Sequence, residues 1–431
     1  LSSARNIQWL YAELPQLVRD GVLTQAQADA LRARYGDAQP ASRASIITIL
    51  FSVLAASFIA GGVILVLASN WDELGRGARA VLSALPLLAG QLAVAFTLLK
   101  RSDSVAWREG SGILLTGGIG ASIALIGQTY HIPGDPQSFL FAWILLGLPL
   151  VYLLGATTVA LAGMAATVTW ALGQRGYNGE TAYFYWVFLA LLLPHIVWSW
   201  RESAAGARFQ LLGWGLCGML AFMPVALPYD LRDGWILMYA ALASAGVLLG
   251  ASPWAGRRLN SFLLCGGAAT AALGLMLSMQ GLWASGWNEW EREQAGYGGM
   301  ALGVVVMALP AALFLLRRAE GSRLVMAWAA LSLLSLAAYI LARAGTDPGL
   351  LGLVFNGYVF ALGVMTLIEG ARSGRLGLAN IGMALVSLLA ILRFFDSDLG
   401  ILLRGVIFIL VGAGFLVVNL YIARRGRKAA A

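Results

Sequence analysis

Two short polar clusters interrupt an otherwise apolar chain and hold most of the groups able to bind or react with a polar ligand. One is Asn70-Trp71-Asp72-Glu73. The other runs Gly127-Gln128-Thr129-Tyr130-His131 and continues through Pro133-Gly134-Asp135. Asn70, Trp71, Asp72, Glu73, Gln128, Tyr130, His131 and Asp135 supply two amides, an indole, a phenol, an imidazole and three carboxylates, each at the end of a hydrophobic run. Carboxylates beside an imidazole can hold a polar headgroup or move a proton. Asn, Asp, Gly and Pro are also the residues of turns and caps, so capping chemistry is the competing account of both clusters.

Polar groups within the hydrophobic runs are costly in a bilayer and each needs a role. Arg404 lies near the start of the last run. It can snorkel outward, pair with Asp396 or Asp398, or bind an anionic group. His195 follows Pro194. A proline bends a helix and frees a carbonyl, and a histidine at that bend can cap the carbonyl, bind a ligand or relay protons. Asn356 and Asn380 fit hydrogen bonding between helices. With only two histidines in the chain, a multi-histidine metal site within one molecule is excluded. No phosphate loop, zinc spacing, nucleophile elbow or dinucleotide fingerprint occurs, so neither a metal nor a cofactor is expected.

The elements that must carry these residues follow from composition. The chain is 59% hydrophobic and 12% charged, whereas a soluble domain is about 25% charged. Fourteen apolar runs fit, at 46–69, 78–99, 110–129, 138–154, 156–173, 182–200, 209–227, 235–250, 259–279, 298–316, 323–342, 348–368, 376–393 and 399–423. Runs of about 20 apolar residues cross a bilayer as helices, because lipid offers no partner for open backbone groups. The expected fold is an all-α polytopic transmembrane bundle of about 14 spans. The pair meeting at Gly155 can also be read as one long bent segment.

Lys and Arg alternate across these runs. Twenty-one lie on the side of the termini, seven on the other side, and Arg404 within a run. The positive-inside rule then places both termini in the cytoplasm. The net charge of +8 reads as topology and attraction to anionic headgroups, not as nucleic-acid binding. Cys217 and Cys265 each fall in a span, so a disulfide framework is not expected. The first apolar run follows 45 polar residues and reads as a span, not as a cleaved leader.

Residues 1–45 read as a cytoplasmic helical hairpin and linker, and 46–430 as the bundle. Ile7, Leu10, Leu14 and Leu17 recur at helical spacing, Asp20-Gly21 offers a stop, and Thr24 with Gln27 fits a capping box. So small a hairpin needs a surface to pack on. Residues 1–40 are therefore the candidate contact for a protein partner or a second copy, and membrane lipids are the other expected partners. Trp283, Trp287 and Trp290 read as an interfacial segment. A faint parallel repeat relates 46–200 to 259–423 through Pro86 and Pro310 and through Asp135-Pro136 and Asp347-Pro348.

Certain residues carry a resemblance. They are Leu17-Val18-Arg19-Asp20-Gly21-Val22-Leu23-Thr24, Ala68-Ser69-Asn70-Trp71-Asp72, Leu125-Ile126-Gly127-Gln128-Thr129-Tyr130-His131 with Gly134-Asp135, and the tail from Arg393-Phe394-Phe395-Asp396 through Arg404-Gly405. Together they resemble the bacterial membrane-protein family catalogued as domain of unknown function 2157. The resemblance implies a bacterial inner-membrane protein and brings no activity, substrate or catalytic residue with it.

Three functional classes follow. The leading expectation is a transporter or flippase-like protein for an amphipathic or lipid-linked substrate, with enzymatic activity left open. The second is a membrane transferase using Asp72 and Glu73 at the outer face, and the third is a scaffold or sensor acting through the hairpin. Every Asp and Glu maps to a loop or a span end, which argues against strong ion coupling.

Overall fold

The computed structural model describes residues 4–35, 73–178, 182–228, 234–256, 259–285, 297–317 and 322–396, and the isolated positions 409, 412 and 413. The run at 46–69 and nearly all of 399–423 lie outside the described residues, as do Asn70, Trp71, Asp72 and Arg404. Two compact units divide between Val81 and Leu82.

The N-terminal hairpin consists of α1 (Ala4–Arg19) and α2 (Gln25–Tyr35). Gly21 at φ 71° ends α1, and the amides of Val22 and Leu23 return to the Leu17 carbonyl. That left-handed conformation carries no steric cost for glycine. Thr24 and Gln27 then cap α2 reciprocally. The Thr24 amide donates to Gln27 Oε1 at 2.9 Å, and the Gln27 amide donates to Thr24 Oγ1 at 3.3 Å. Leu14 and Ala28 are the buried contact residues.

The second part contains helices joined by short turns, with no strand among its described residues. In chain order it contains α3 (Arg76–Lys100), α4 (Val105–Tyr130), α5 (Pro136–Leu154), α6 (Thr157–Asn178), α7 (Phe184–Glu202) and α8 (Ala207–Ala221). It continues with α9 (Trp235–Gly250), α10 (Ser261–Leu277), α11 (Gln280–Ser285) and α12 (Tyr297–Arg317). Four further helices with described bounds follow, α13 (Arg323–Ala329), α14 (Leu331–Arg343), α15 (Pro348–Arg372) and α16 (Leu376–Asp396). Six described stretches are long and apolar enough to cross a membrane, namely α3, α4, α5, the α13–α14 pair, α15 and α16 up to Arg393. Their outer faces leave large apolar side chains uncovered, such as Leu92 at 71% and Leu353 at 65% exposure. Lipid, not water, suits such a surface. This is a helical membrane protein.

Caps start the helices. Asp135 and Asp347 each accept from backbone amides at the head of a helix whose first residue is proline. The two Asp-Pro pairs of the faint repeat thus play one local role, since proline at the first position loses no hydrogen bond. Gly155, at φ 59°, turns the chain sharply between α5 and α6, which makes them a hairpin and not one bent segment.

Glycines set the closest helix contacts. A Cβ on Gly266 of α10 would sit 2.6 Å from the Val247 nitrogen and 2.8 Å from the Ala243 carbonyl of α9. Gly370 and Gly382 hold α15 and α16 together in the same way. Small residues let helix backbones approach where lipid supplies no hydrophobic drive.

Three sequence expectations change in detail. The α-helix of the 209–227 run stops at Ala221, and a 3₁₀ turn (Met223–Ala226) containing Pro224 follows. Side chains take over its carbonyls. Tyr185 donates to Met219, Tyr239 to Ala221, and Trp186 Nε1 to Ala226 at 3.1 Å. The 323–342 run breaks at Ala330, where the Ser332 amide turns to Ser244 Oγ and the Tyr358 hydroxyl occupies the Ala327 carbonyl at 3.0 Å. Trp283 is no interfacial anchor. It is 4% exposed, stacks on Phe355 at 5.8 Å, and donates to the Leu277 carbonyl.

Candidate functional site

Alpha-helices α3, α4 and α5 form the walls of an open groove of about 990 Å³. Leu87 and Gln91 come from α3, Leu115, Ile119 and Ser122 from α4, and Ala142, Leu146 and Leu150 from α5. Leu150 and Asp135 mark its two ends along α5, so it runs about 22 Å at 1.5 Å per residue. That is well over half of a hydrocarbon core about 30 Å thick. Ser122 is already used, since its hydroxyl donates to the Ser83 carbonyl at 2.6 Å. Among the described residues the walls are therefore apolar apart from Gln91.

The mouth differs from the walls. Gly127, Ile132, Gly134, Asp135 and Ser138 line it. Asp135 Oδ1 accepts from the amides of Gln137 and Ser138 at 2.9 Å each, and Oδ2 accepts from the Ser138 hydroxyl at 2.6 Å. The Ser138 hydroxyl and amide hold this carboxyl below the usual aspartate range, slight burial opposes them, and the Gln137 amide adds to the lowering. It is ionised at neutral pH. A carboxylate offers about four acceptor positions, so the cap leaves Asp135 capacity for one more donor.

Replacing Asp135 with alanine removes the α5 cap. A group whose carboxyl is lowered on folding adds stability above its unfolded pKa of about 3.9, and that stability is lost as pH falls through the lower folded value. The variant should therefore melt below the wild type at pH 7, and the gap should close in strong acid. Thermal unfolding across pH 7 to 2 reads this directly.

The remaining polar residues disperse. Gln128, Tyr130 and His131 are exposed. His131 ends α4 in the left-handed region at φ 53°, its amide returning to the Gln128 carbonyl and that of Ile132 to Gly127. Glu73 is exposed ahead of α3. Asn356 Nδ2 donates to the carbonyls of Ser278 at 3.0 Å and Gly352 at 2.7 Å, tying α15 to the end of α10. Asn380 is exposed on α16.

His195 is 1% exposed and belongs to a second constellation around the Gly155 turn. Arg208 donates to the Gly155 carbonyl at 2.7 Å, pairs with Glu202 at 3.1 Å, lies 4.6 Å over the Trp198 ring, and approaches His195 Nε2 at 3.4 Å. A guanidinium has only donors, so Nε2 accepts. From the other side Glu109 of α4 receives the amides of Thr157 and Thr158 at 2.8 Å each, and the Thr158 hydroxyl at 2.6 Å. Its negative charge faces the positive end of the α6 dipole. The Tyr152 hydroxyl, and not His195, covers a carbonyl beside the Pro194 bend, that of Leu191. This constellation clamps a turn.

Sequence reasoning missed Glu109 and Arg208. A signal for them existed, because the Gly155 loop has no Lys or Arg of its own and so must borrow charge from neighbouring helix ends.

A family model described as predicted membrane protein (DUF2157) matches residues 15–160, about a third of the chain. It is the family the sequence resembles, and the matched segment contains every described residue lining the groove. Neither a curated protein nor a solved structure matches the chain.

Proposed function

We propose that the groove seats the apolar chain of an amphipathic or lipid-linked molecule, and that the protein moves such molecules between leaflets as a transporter or flippase-like protein. The observation that carries this reading is the groove's polarity, with apolar walls along α3, α4 and α5 and an ionised, exposed Asp135 at one mouth. A sealed pocket suits a soluble ligand, whereas an open cleft lets a lipid enter sideways. No Lys or Arg is among the described residues that line the groove, so the headgroup it suits bears hydroxyls or an amine. In this account the protein sits in a bacterial inner membrane with both termini cytoplasmic, which rests on the alternation of Lys and Arg. The Asp135 mouth then faces outward.

Reconstitution tests it. Liposomes containing the protein and a lipid labelled on its headgroup are exposed to an impermeant quencher, and the inner-leaflet signal is followed. The wild type should expose inner-leaflet lipid faster than empty liposomes. Ala142→Trp, which fills the groove from α5, should slow this by about tenfold, a barrier increase of about 1.4 kcal/mol, with its melting temperature kept. Equal rates for wild type and empty liposomes, across lipids with hydroxyl and amine headgroups, would reject the proposal.

A further inference from the structure

Two large core clusters stand out among the described residues of the large helical part. One is centred on Leu150, Leu192, Leu212 and Met219, and the other on Leu237, Leu273, Leu331 and Phe355. Helix α8 contributes to the first and α10 to the second, and these two helices pack directly on each other. The Phe209 and Phe262 rings meet at 5.9 Å. A Cβ on Gly213 would collide with the Ser261 hydroxyl. One turn further along both helices lie Cys217 and Cys265. Cys217 Sγ sits 4.0 Å from the Ser261 carbonyl, and Cys265 lies one turn beyond Ser261 on α10. Matching steps of four residues on the two helices put both thiols on facing stripes.

These are the only two cysteines in the chain. Both are free and half-buried. Nothing in the sequence brings them together, being 48 residues apart in separate apolar runs. One turn before the cysteines, a Cβ on Gly213 would lie 3.3 Å from the Ser261 Cβ, so the two helices approach as closely as a disulfide requires.

We propose that Cys217 and Cys265 form a redox modification site, a dithiol that closes to a disulfide and fastens α8 to α10 across the seam between the two cores. Each thiol loses its hydrogen and one sulfur–sulfur bond forms. The two electrons and two protons pass to a bilayer-soluble oxidant of the quinone class, which leaves as the quinol. A dithiol reductant reverses the step by exchange. An oxidant of this class suits the location, since the pair lies within apolar helices where quinones dissolve and aqueous oxidants do not. Closure restrains any movement of one core against the other.

The test uses the full chain in lipid nanodiscs treated with decylubiquinone. The wild type should lose two hydrogens in intact mass, and both thiols should become unreactive to maleimide. A phosphine reductant should restore labelling at both positions. C217S and C265S should keep their remaining thiol reactive and gain no such product. A wild-type protein whose two thiols stay labelled after treatment, with no loss of mass, would overturn the proposal. That readout needs no mutant to fold and no lipid to move, so it stands apart from the groove reading.

Discussion

Gly266→Ala should cost the protein about 3 kcal/mol or more of its stability, while Gly267→Ala, one residue away, should cost nothing. The Cβ at Gly266 would meet the Val247 nitrogen at 2.6 Å, the Gly246 carbonyl carbon at 2.7 Å and the Ala243 oxygen at 2.8 Å. All three are backbone atoms, so no side chain can swing aside and α9 must move away from α10. Overpacking a core costs about 1–3 kcal/mol when side chains can adjust, and a backbone clash lies at or above the top of that range. At Gly267 the nearest atom is on the Trp328 ring at 3.8 Å, an ordinary contact. There alanine gains up to about 1 kcal/mol of helix propensity. Thermal unfolding in detergent, followed by tryptophan fluorescence, compares the two variants under identical conditions. Equal melting temperatures would show that α9 and α10 are not held backbone to backbone.

Glu109→Ala should be the second most damaging change. The carboxylate is the only acceptor described for the amides of Thr157 and Thr158, and it also takes the Thr158 hydroxyl. Hydrogen bonds to charged groups contribute about 1.5–3 kcal/mol each, with losses that do not add. Deletion leaves two amides at a helix start without a partner, and we expect a loss of about 3 kcal/mol. Glu109→Gln should fall between, because one amide oxygen can still accept while its NH₂ group faces the second donor. Arg208→Ala should share part of this loss, since Arg208 holds the Gly155 carbonyl of the same turn. A double variant losing less than the two single losses combined would show that both ends of the clamp act on one element. Hydrogen exchange at the Thr157 and Thr158 amides locates the effect. Unchanged exchange in Glu109→Ala would contradict the capping role.

Much of the fold is legible in the sequence because bilayers constrain it so strongly. The run 235–250 coincides with α9, and 138–154 differs from α5 by two residues at the start. The hairpin stop at Gly21 and the Thr24–Gln27 box are equally visible, as local rules with fixed offsets. What stays hidden depends on tertiary partners. No residue near Ala330 marks a break, because the interruption is made by Ser244 and Tyr358 from other helices. The Trp283 misreading has the same origin. An indole near a helix end looks interfacial until Phe355, distant in sequence, is found stacked on it.

The site divides along the same line. Asp135 is recognisable as both a cap and a candidate binding residue, and it serves as the cap while lining the groove mouth. The groove walls carry no sequence signal, since leucines and isoleucines facing a cleft look like those facing a neighbour. His195 attracts attention as a lone buried imidazole, yet its neighbours make it part of a turn clamp. Cys217 and Cys265 look unrelated until α8 and α10 pack in register.

The central claim is that the groove holds the chain of an amphipathic molecule, and photo-crosslinking tests it most directly. The wild type and Ala142→Trp are placed in bilayers containing a phospholipid with a diazirine on its acyl chain, irradiated and mapped by peptide mass spectrometry. The account predicts adducts concentrated on Leu115, Ile119 and Leu146, sharply reduced in Ala142→Trp, with labelling of the outward Leu353 of α15 unchanged. Equal adduct density at the groove residues and at Leu353, unaffected by the tryptophan, would contradict it.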